Sequence, residues 1–203
     1  SGNPTISLAA SGVTAGTYGS MDKLVSLTLT AGGQASAVSE IVISTAYVES
    51  PLSGGNTKIG VSAQGSLTTG KTNTAVGSSS QSSVTSAIAN TAVGARTQLA
   101  LTTGIGNTAV GAYSQIGVTT GNSNTAVGLS SQVALTTGNA NTAVGTASQT
   151  ALTIGTYNTA IGSWSQPAMT DGSRNTAIGS YAQYLLTTGS YNTCIGVHAG
   201  YDI

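Results

Sequence analysis

The sequence predicts an all-β protein whose larger part is a parallel β-roll, a β-solenoid of nine 17-residue turns. Asn recurs every 17 residues from Asn56 to Asn192 without an insertion, so each copy is expected to form one turn of a coil. Gly and β-branched residues are concentrated in every copy, and the apolar spacing never settles to the 3.6-residue period of a helix. We therefore divide the chain into an N-terminal β region, residues 1–55, and a solenoid, residues 56–203.

The repeat consensus is N-T-A-[VI]-G-x-x-[SA]-Q-x-x-L-T-T-G-x-x, and its positions are numbered 1 to 17 from the Asn. Positions 2 to 4 predict a short strand in which Thr and Val share one face and Ala points to the other. We expect Val110 and its equivalents to point inward and be buried. The small Ala at position 3, such as Ala126, is then expected to face a packed interface outside. Gly at position 5 supplies a corner that a side chain would resist.

Positions 8 to 12 predict a second strand, whose apolar residue, such as Leu135, meets the Val or Ile of the first strand across a narrow interior. Asn at position 1 and Gln at position 9 are expected to form side-chain ladders, each amide bonding its neighbours above and below. Such ladders serve either to contact a ligand or to satisfy the backbone at corners. We favour the second interpretation.

The N-terminal region does not follow the repeat. Residues 24–30 and 37–43 alternate or run apolar around Gly32 and Gly33, which predicts a β-hairpin or paired strands. A thin coil with few large side chains has difficulty burying enough area alone. This favours self-association through the small-residue face.

The repeats resemble the head repeats of trimeric autotransporter adhesins, which carry an Asn-Ser/Thr-x-Ala/Val-Ile-Gly motif, and similar repeats in phage tail fibres. The resemblance covers residues 56–203 and implies a left-handed parallel β-roll in which three chains associate about a fibre axis. The 17-residue period is longer than the usual adhesin head turn. Residues 12–20, GVTAGTYGS, resemble a short module of phage tail fibres, which favours a viral fibre over a bacterial surface adhesin.

Composition excludes several classes of function. Five basic residues scattered along a chain of zero net charge leave no footprint for nucleic acid, and no apolar run approaches the length of a membrane-spanning helix. The five carboxylates and His198 do not repeat with the period, so we expect no enzyme, no cofactor and no metal site, the pair His198 and Asp202 included. Cys194 stands in a position mostly filled by Ala, and we expect it to be a small buried filler.

The expected function is structural: a shaft or head segment of a homotrimeric fibre, on a virion tail or an extracellular cell surface, involved in host attachment. The alternative from another class is an ice-binding solenoid, because Thr fills position 2 in all nine turns. Exposed aromatic residues on a rigid rod either stack on sugar rings of a host glycan or a receptor, or pack at the rim between subunits. The candidate binding residues are Tyr113, Tyr157, Trp164, Tyr181 and Tyr191.

Overall fold

The computed structural model describes residues 23–29, 35–42, 48–52 and 54–202. The chain divides into two compact units, Ser1–Ala46 and Tyr47–Ile203. In the first unit, strands β1 (Lys23–Leu29) and β2 (Ala35–Val42) pair antiparallel, with Ser26 opposite Ser39. The connection of the predicted hairpin and the fibre-like module at residues 12–20 lie outside the described residues.

The second unit is a parallel β-solenoid with turns of 17 residues, as the period predicts. Strand β3 (Val48–Leu52) pairs antiparallel with β4, and from β4 onward every strand pairs in parallel with the strand one turn later. Thr pairs with Thr, and Val or Ile pairs with its equivalent, in each step. The described residues include no helix. The strands are β4 (Asn56–Ile59), β5 (Thr74–Val76), β6 (Thr91–Val93), β7 (Thr108–Val110), β8 (Thr125–Val127), β9 (Thr142–Val144), β10 (Thr159–Ile161), β11 (Thr176–Ile178) and β12 (Thr193–Ile195).

The faces of these strands are the reverse of the predicted ones. Ala109 is fully buried inside the coil, whereas Val110 is 37% exposed on the outside, beside the half-buried Thr108. The alternation of inward and outward side chains was predicted correctly, but the prediction of which residues point inward was wrong. The interior beside the strand is already filled by Leu and by side-chain amides, so a residue as small as Ala fits there best. Ala126 is likewise inward, so it does not face an external interface.

A single file of apolar side chains at position 12 forms the centre of the solenoid. Leu135 is fully buried, as predicted, and its cluster includes the equivalent residues from six other turns, five with zero exposure and Leu186 at 8%. Cys194 lies in the Ala column of β12 but is only partly buried, because β12 has a neighbouring strand on one side only. The cluster comprises Val84, Ala87, Leu101, Val118, Leu135, Leu152, Met169 and Leu186.

The predicted second strand is instead a run of turns. Positions 6 to 11 contain no strand in the described solenoid, and the Gln at position 9 has φ between 48° and 52° in all eight copies. This left-handed conformation lets the chain curl around its own core within a few residues. It also aims the long Gln side chain inward, where it is buried.

The Asn ladder consists of the nine position-1 residues from Asn56 to Asn192. In its centre, the backbone N–H and Nδ2 of Asn107 both donate to Asn90 Oδ1, at 2.8 and 3.1 Å. Nδ2 also donates to the carbonyl of Gly121 at 2.7 Å. In turn, Asn107 Oδ1 accepts from Asn124. The ladder therefore satisfies corner backbone groups, as predicted.

The Gln ladder consists of the eight position-9 residues from Gln64 to Gln183. Gln115 Nε2 donates to Gln132 Oε1 at 3.0 Å, and its own Oε1 accepts from Gln98 Nε2 at 2.9 Å. Each Gln from Gln64 to Gln166 donates to the next Gln toward the C-terminus, whereas each Asn from Asn73 onward donates to the preceding Asn, toward the N-terminus. The two end groups, Gln64 Oε1 and Gln183 Nε2, are buried without a hydrogen-bond partner. A continuous ladder thus leaves one orphan acceptor and one orphan donor.

The corner at position 5 requires Gly for two reasons. Gly111 has φ of 123°, outside the range that side-chain-bearing residues favour. A Cβ there would also meet the backbone carbonyl of Gly128 in the next turn. Stacked corners are packed backbone on backbone, so the predicted role of this Gly is confirmed.

Candidate interaction surfaces

The outer surface of the parallel sheet carries two regular rows, which we call the Thr–Val face. It consists of Thr at position 2 and Val or Ile at position 4 of β4 to β12. Because each strand pairs in register with the next, like residues follow one another at the strand spacing, about 4.8 Å. The position-4 side chains are partly to well exposed, and Val127 at 37% is typical. The face is regular and half apolar.

The middle of the solenoid is also free of charge. No Asp, Glu, Lys or Arg occurs between Arg96 and Asp171, which spans more than four turns. Protein surfaces normally carry charged side chains at short intervals, whereas the cores of interfaces are depleted of them. The Thr–Val face in these turns therefore shares the low charge of interface cores.

The five candidate binding residues lie on two edges that flank the Thr–Val face in sequence. Tyr113, Trp164 and Tyr181 occupy position 7, whereas Tyr157 and Tyr191 occupy position 17. All five have positive φ, between 57° and 63°, and they are exposed or half-buried. The structure thus does not bring them together into one site.

The position-17 edge holds a cation between two rings. The Arg174 guanidinium carbon lies 5.7 Å from the Tyr157 ring centroid and 5.3 Å from that of Tyr191. Its Nη1 donates to the Tyr191 hydroxyl at 2.6 Å. Such cation–π contacts at exposed sites are worth about 0.5–1 kcal/mol each. The Arg174 guanidinium and the two Tyr rings are therefore already engaged in contacts with one another.

The position-7 edge is richer in rings than the sequence indicated. Tyr181 contacts Tyr184 and His198, with ring centroids 5.4 and 5.2 Å apart. Tyr201 closes the group by stacking on Tyr184 at 5.0 Å with an interplanar angle of 7°, and by meeting His198 at 5.4 Å. Trp164 lies one turn earlier in the same column as Tyr181 and is 41% exposed. These rings form a group that spans consecutive turns.

Sequence reasoning missed Tyr184, Tyr201 and His198 as members of this group. The signal was present, because adding one period to Tyr184 gives Tyr201 and adding one period to Tyr181 gives His198. What the period did not reveal was that positions 7 and 10 approach each other. That proximity depends on the turn that replaces the predicted second strand.

The amide ladders offer no ligand site. Their interior donors and acceptors are bound to one another or to the backbone, as the Asn107 and Gln115 bonds illustrate. In the part of the chain that the structure describes, no three His, Cys, Asp or Glu side chains come together as metal ligands would. A search of the same residues found no helix with the length and apolarity needed to cross a membrane.

Comparison with known proteins returned no match to a family model, to a curated protein or to a solved structure.

Proposed function

We propose that the solenoid is a structural, non-enzymatic segment of a fibre, in which three copies of the chain pack together through their Thr–Val faces. One observation carries the proposal: an uncharged row of Val and Ile remains partly exposed in consecutive turns of the single chain. A monomeric protein would gain solubility from charges on that row. A fibre would gain cohesion from its regularity, since the same contact recurs at each turn.

The energetics are compatible with association. Burying a Val or Ile side chain completely is worth about 1.5–3 kcal/mol, so covering the exposed third of each contributes about 0.5–1 kcal/mol. Nine such residues contribute about 5–9 kcal/mol per chain. Association costs about 4–15 kcal/mol in lost translational and rotational freedom. The contribution of the row therefore lies within the range of this cost.

The biological setting rests on the resemblance of the repeats. A viral tail fibre engaged in host attachment is the first choice, on a virion and outside cells. A bacterial trimeric surface adhesin is the second. In both settings the partners are other copies of this chain and a glycan or protein receptor on the host surface. The proposal involves no nucleic acid, cofactor or membrane insertion.

The test is the mass of the protein in solution, measured by light scattering after size-exclusion chromatography. The chain has a mass of 19.7 kDa, so a trimer is expected at about three times that value. Val127→Asp should abolish the trimer by placing a charge in the row. The matched control, Leu129→Asp, changes a residue that is 51% exposed at position 6, off the face, and should leave the trimer intact. A wild-type monomer at micromolar concentration would refute the proposal.

A second candidate is an ice-binding protein, which the same face favours for a different reason. Thr hydroxyls and Val methyl groups alternate in fixed rows across an uncharged sheet, a surface able to order water. This function needs the face to be free. Thermal hysteresis from a monomeric sample, lost in Val127→Asp, would support ice binding against the fibre. A trimeric sample without hysteresis would exclude it.

A further inference from the structure

The position-7 edge carries a group of rings that the fold does not need. We call it the aromatic edge, and it consists of Trp164, Tyr181, Tyr184, His198 and Tyr201. Position 7 is left-handed in every turn, with φ of 57° at Trp164 and 58° at His198. Bulky residues adopt this conformation at a cost, and four of the six other turns place Ser or Ala there, as at Ser79. The fold adopts this conformation at position 7 in every turn, so rings there that add nothing to the buried core point to a function of the side chains themselves.

Contact between copies of the chain does not account for these rings. A self-contact of a periodic rod recurs in each turn, as the Thr–Val face does. The aromatic edge is confined to three successive turns, whereas the two preceding turns hold Ser130 and Ala147 at position 7. The edge therefore distinguishes one part of the rod from the rest, which is a property of a binding site for a discrete ligand.

The chemistry of the edge selects the ligand class. None of the five edge residues is Asp, Glu, Lys or Arg, and none of these four residue types occurs from residue 175 to residue 201. Aromatic faces offer apolar contact, while the Tyr hydroxyls and the His198 ring nitrogens offer hydrogen bonds. The hydroxyls of Ser163 and Ser180 at position 6 donate to the carbonyls of Thr146 and Ser163, and their lone pairs can accept a further hydrogen bond. A ligand with apolar C–H faces and many neutral hydroxyl groups matches both features.

We propose that the aromatic edge binds a neutral oligosaccharide, which stacks on the exposed Trp164 ring and the half-buried Tyr181 ring and hydrogen-bonds to the neighbouring hydroxyls. Tyr184 and His198 contact the Tyr181 ring, and Tyr201 contacts both of them, so the Tyr181 ring is held in place before the ligand arrives. Fixing the ring in advance lowers the entropy cost of binding. The choice of a glycan rests on the proposed attachment function, but the geometry of the edge is independent of the trimer.

Trp164 provides the assay, because it is the single Trp of the chain. The full-length protein is titrated with cellohexaose, maltohexaose and chitohexaose, and Trp emission is recorded. At least one of these probes should change the emission saturably below about 10 mM, the range of weak binding. A trigalacturonate control, which carries carboxylates, should bind at least tenfold more weakly. No response to any neutral probe, or equal binding of the anionic control, would overturn the proposal.

Two variants locate the site by calorimetry with whichever probe binds. Tyr181→Ser should lower the affinity at least tenfold, and it is expected to fold because Ser stands at position 7 in other turns, such as Ser130. Tyr113→Ser is the matched control at the same position four turns before Tyr181, and it should bind as the wild type does. Equal affinities of the two variants would contradict the assignment. Light scattering on the same samples reports the trimer separately, so failure of either proposal is distinguishable.

Discussion

Gln115→Met tests whether the Gln ladder stabilises the solenoid through its hydrogen bonds. Met has a similar length and, like Gln, is unbranched at Cβ, so packing and backbone conformation change little. The substitution removes both ladder bonds of Gln115 and leaves Gln98 Nε2 and Gln132 Oε1 buried without partners. Each orphaned group costs about 1–3 kcal/mol, so we expect the free energy of unfolding to fall by about 2–6 kcal/mol.

The matched control is Gln183→Met at the end of the ladder. Gln183 accepts one bond, from Gln166 Nε2, and its own Nε2 already lacks a partner. The change leaves Gln166 Nε2 without a partner but removes the orphan of Gln183, so the number of buried unpaired donors stays the same. We expect a loss of about 0.5–1.5 kcal/mol, the net value of one hydrogen bond.

Urea unfolding monitored by far-UV circular dichroism measures both variants on the same scale. The two midpoints should differ clearly, with the interior variant unfolding at the lower urea concentration. If Gln115→Met and Gln183→Met unfold together and close to the wild type, the interior amides contribute no more than the end one. The ladder would then be a consequence of stacking and not a cause of stability.

Three further predictions concern the ladder end, the strand faces and the corners. Gly200→Gln should raise the melting temperature, because Gly200 stands at position 9 with the left-handed φ of 60° that the ladder residues have. A Gln there offers an acceptor to Gln183 Nε2, the unpaired donor at the end of the ladder. A lower melting temperature would contradict this. Ala126→Asp should prevent folding, as seen by circular dichroism, whereas Val127→Asp should leave the fold of the single chain intact, because the first side chain is buried and the second is partly exposed. Gly111→Ala should lower the free energy of unfolding in urea by more than about 1 kcal/mol, since the new Cβ meets backbone. Gly106→Ala should be nearly neutral in the same assay, because its Cβ has space and other turns place Ala at that position. Equal effects of the two variants would show that the corner tolerates a side chain.

The period made the solenoid, its corners and its two amide ladders predictable. An uninterrupted repeat forces equivalent residues to stack, and Asn and Gln in a stack bond to one another whatever the shape of the turn. Leu135 was placed correctly for a similar reason, because the largest apolar residue of a thin coil has nowhere else to be buried. These features depend on the spacing of residues along the chain, which the sequence states directly.

The side of the strand that faces inward was not predictable by the same reasoning. Alternation separates Ala109 from Val110, but the rule that the more apolar residue is buried chooses the wrong one. Available volume decided the outcome, and that volume depends on how the Leu and Gln side chains fill the interior. The grouping of Tyr184 with Tyr181 was missed because it depends on the turn at positions 6 to 11. Left-handed φ at residues such as Gln115 has no clear signature in a single sequence.

The opposite directions of the two amide ladders bear on how long such a rod can grow. In an α-helix the peptide dipoles add, so each end carries a partial charge. Here the side-chain dipole of Asn107 points one way along the axis and that of Gln115 points the other, and every complete turn repeats this pairing. The axial contributions of the side chains oppose each other turn by turn. Further turns of the same sequence would therefore lengthen the rod while these two ladders go on opposing each other along its axis.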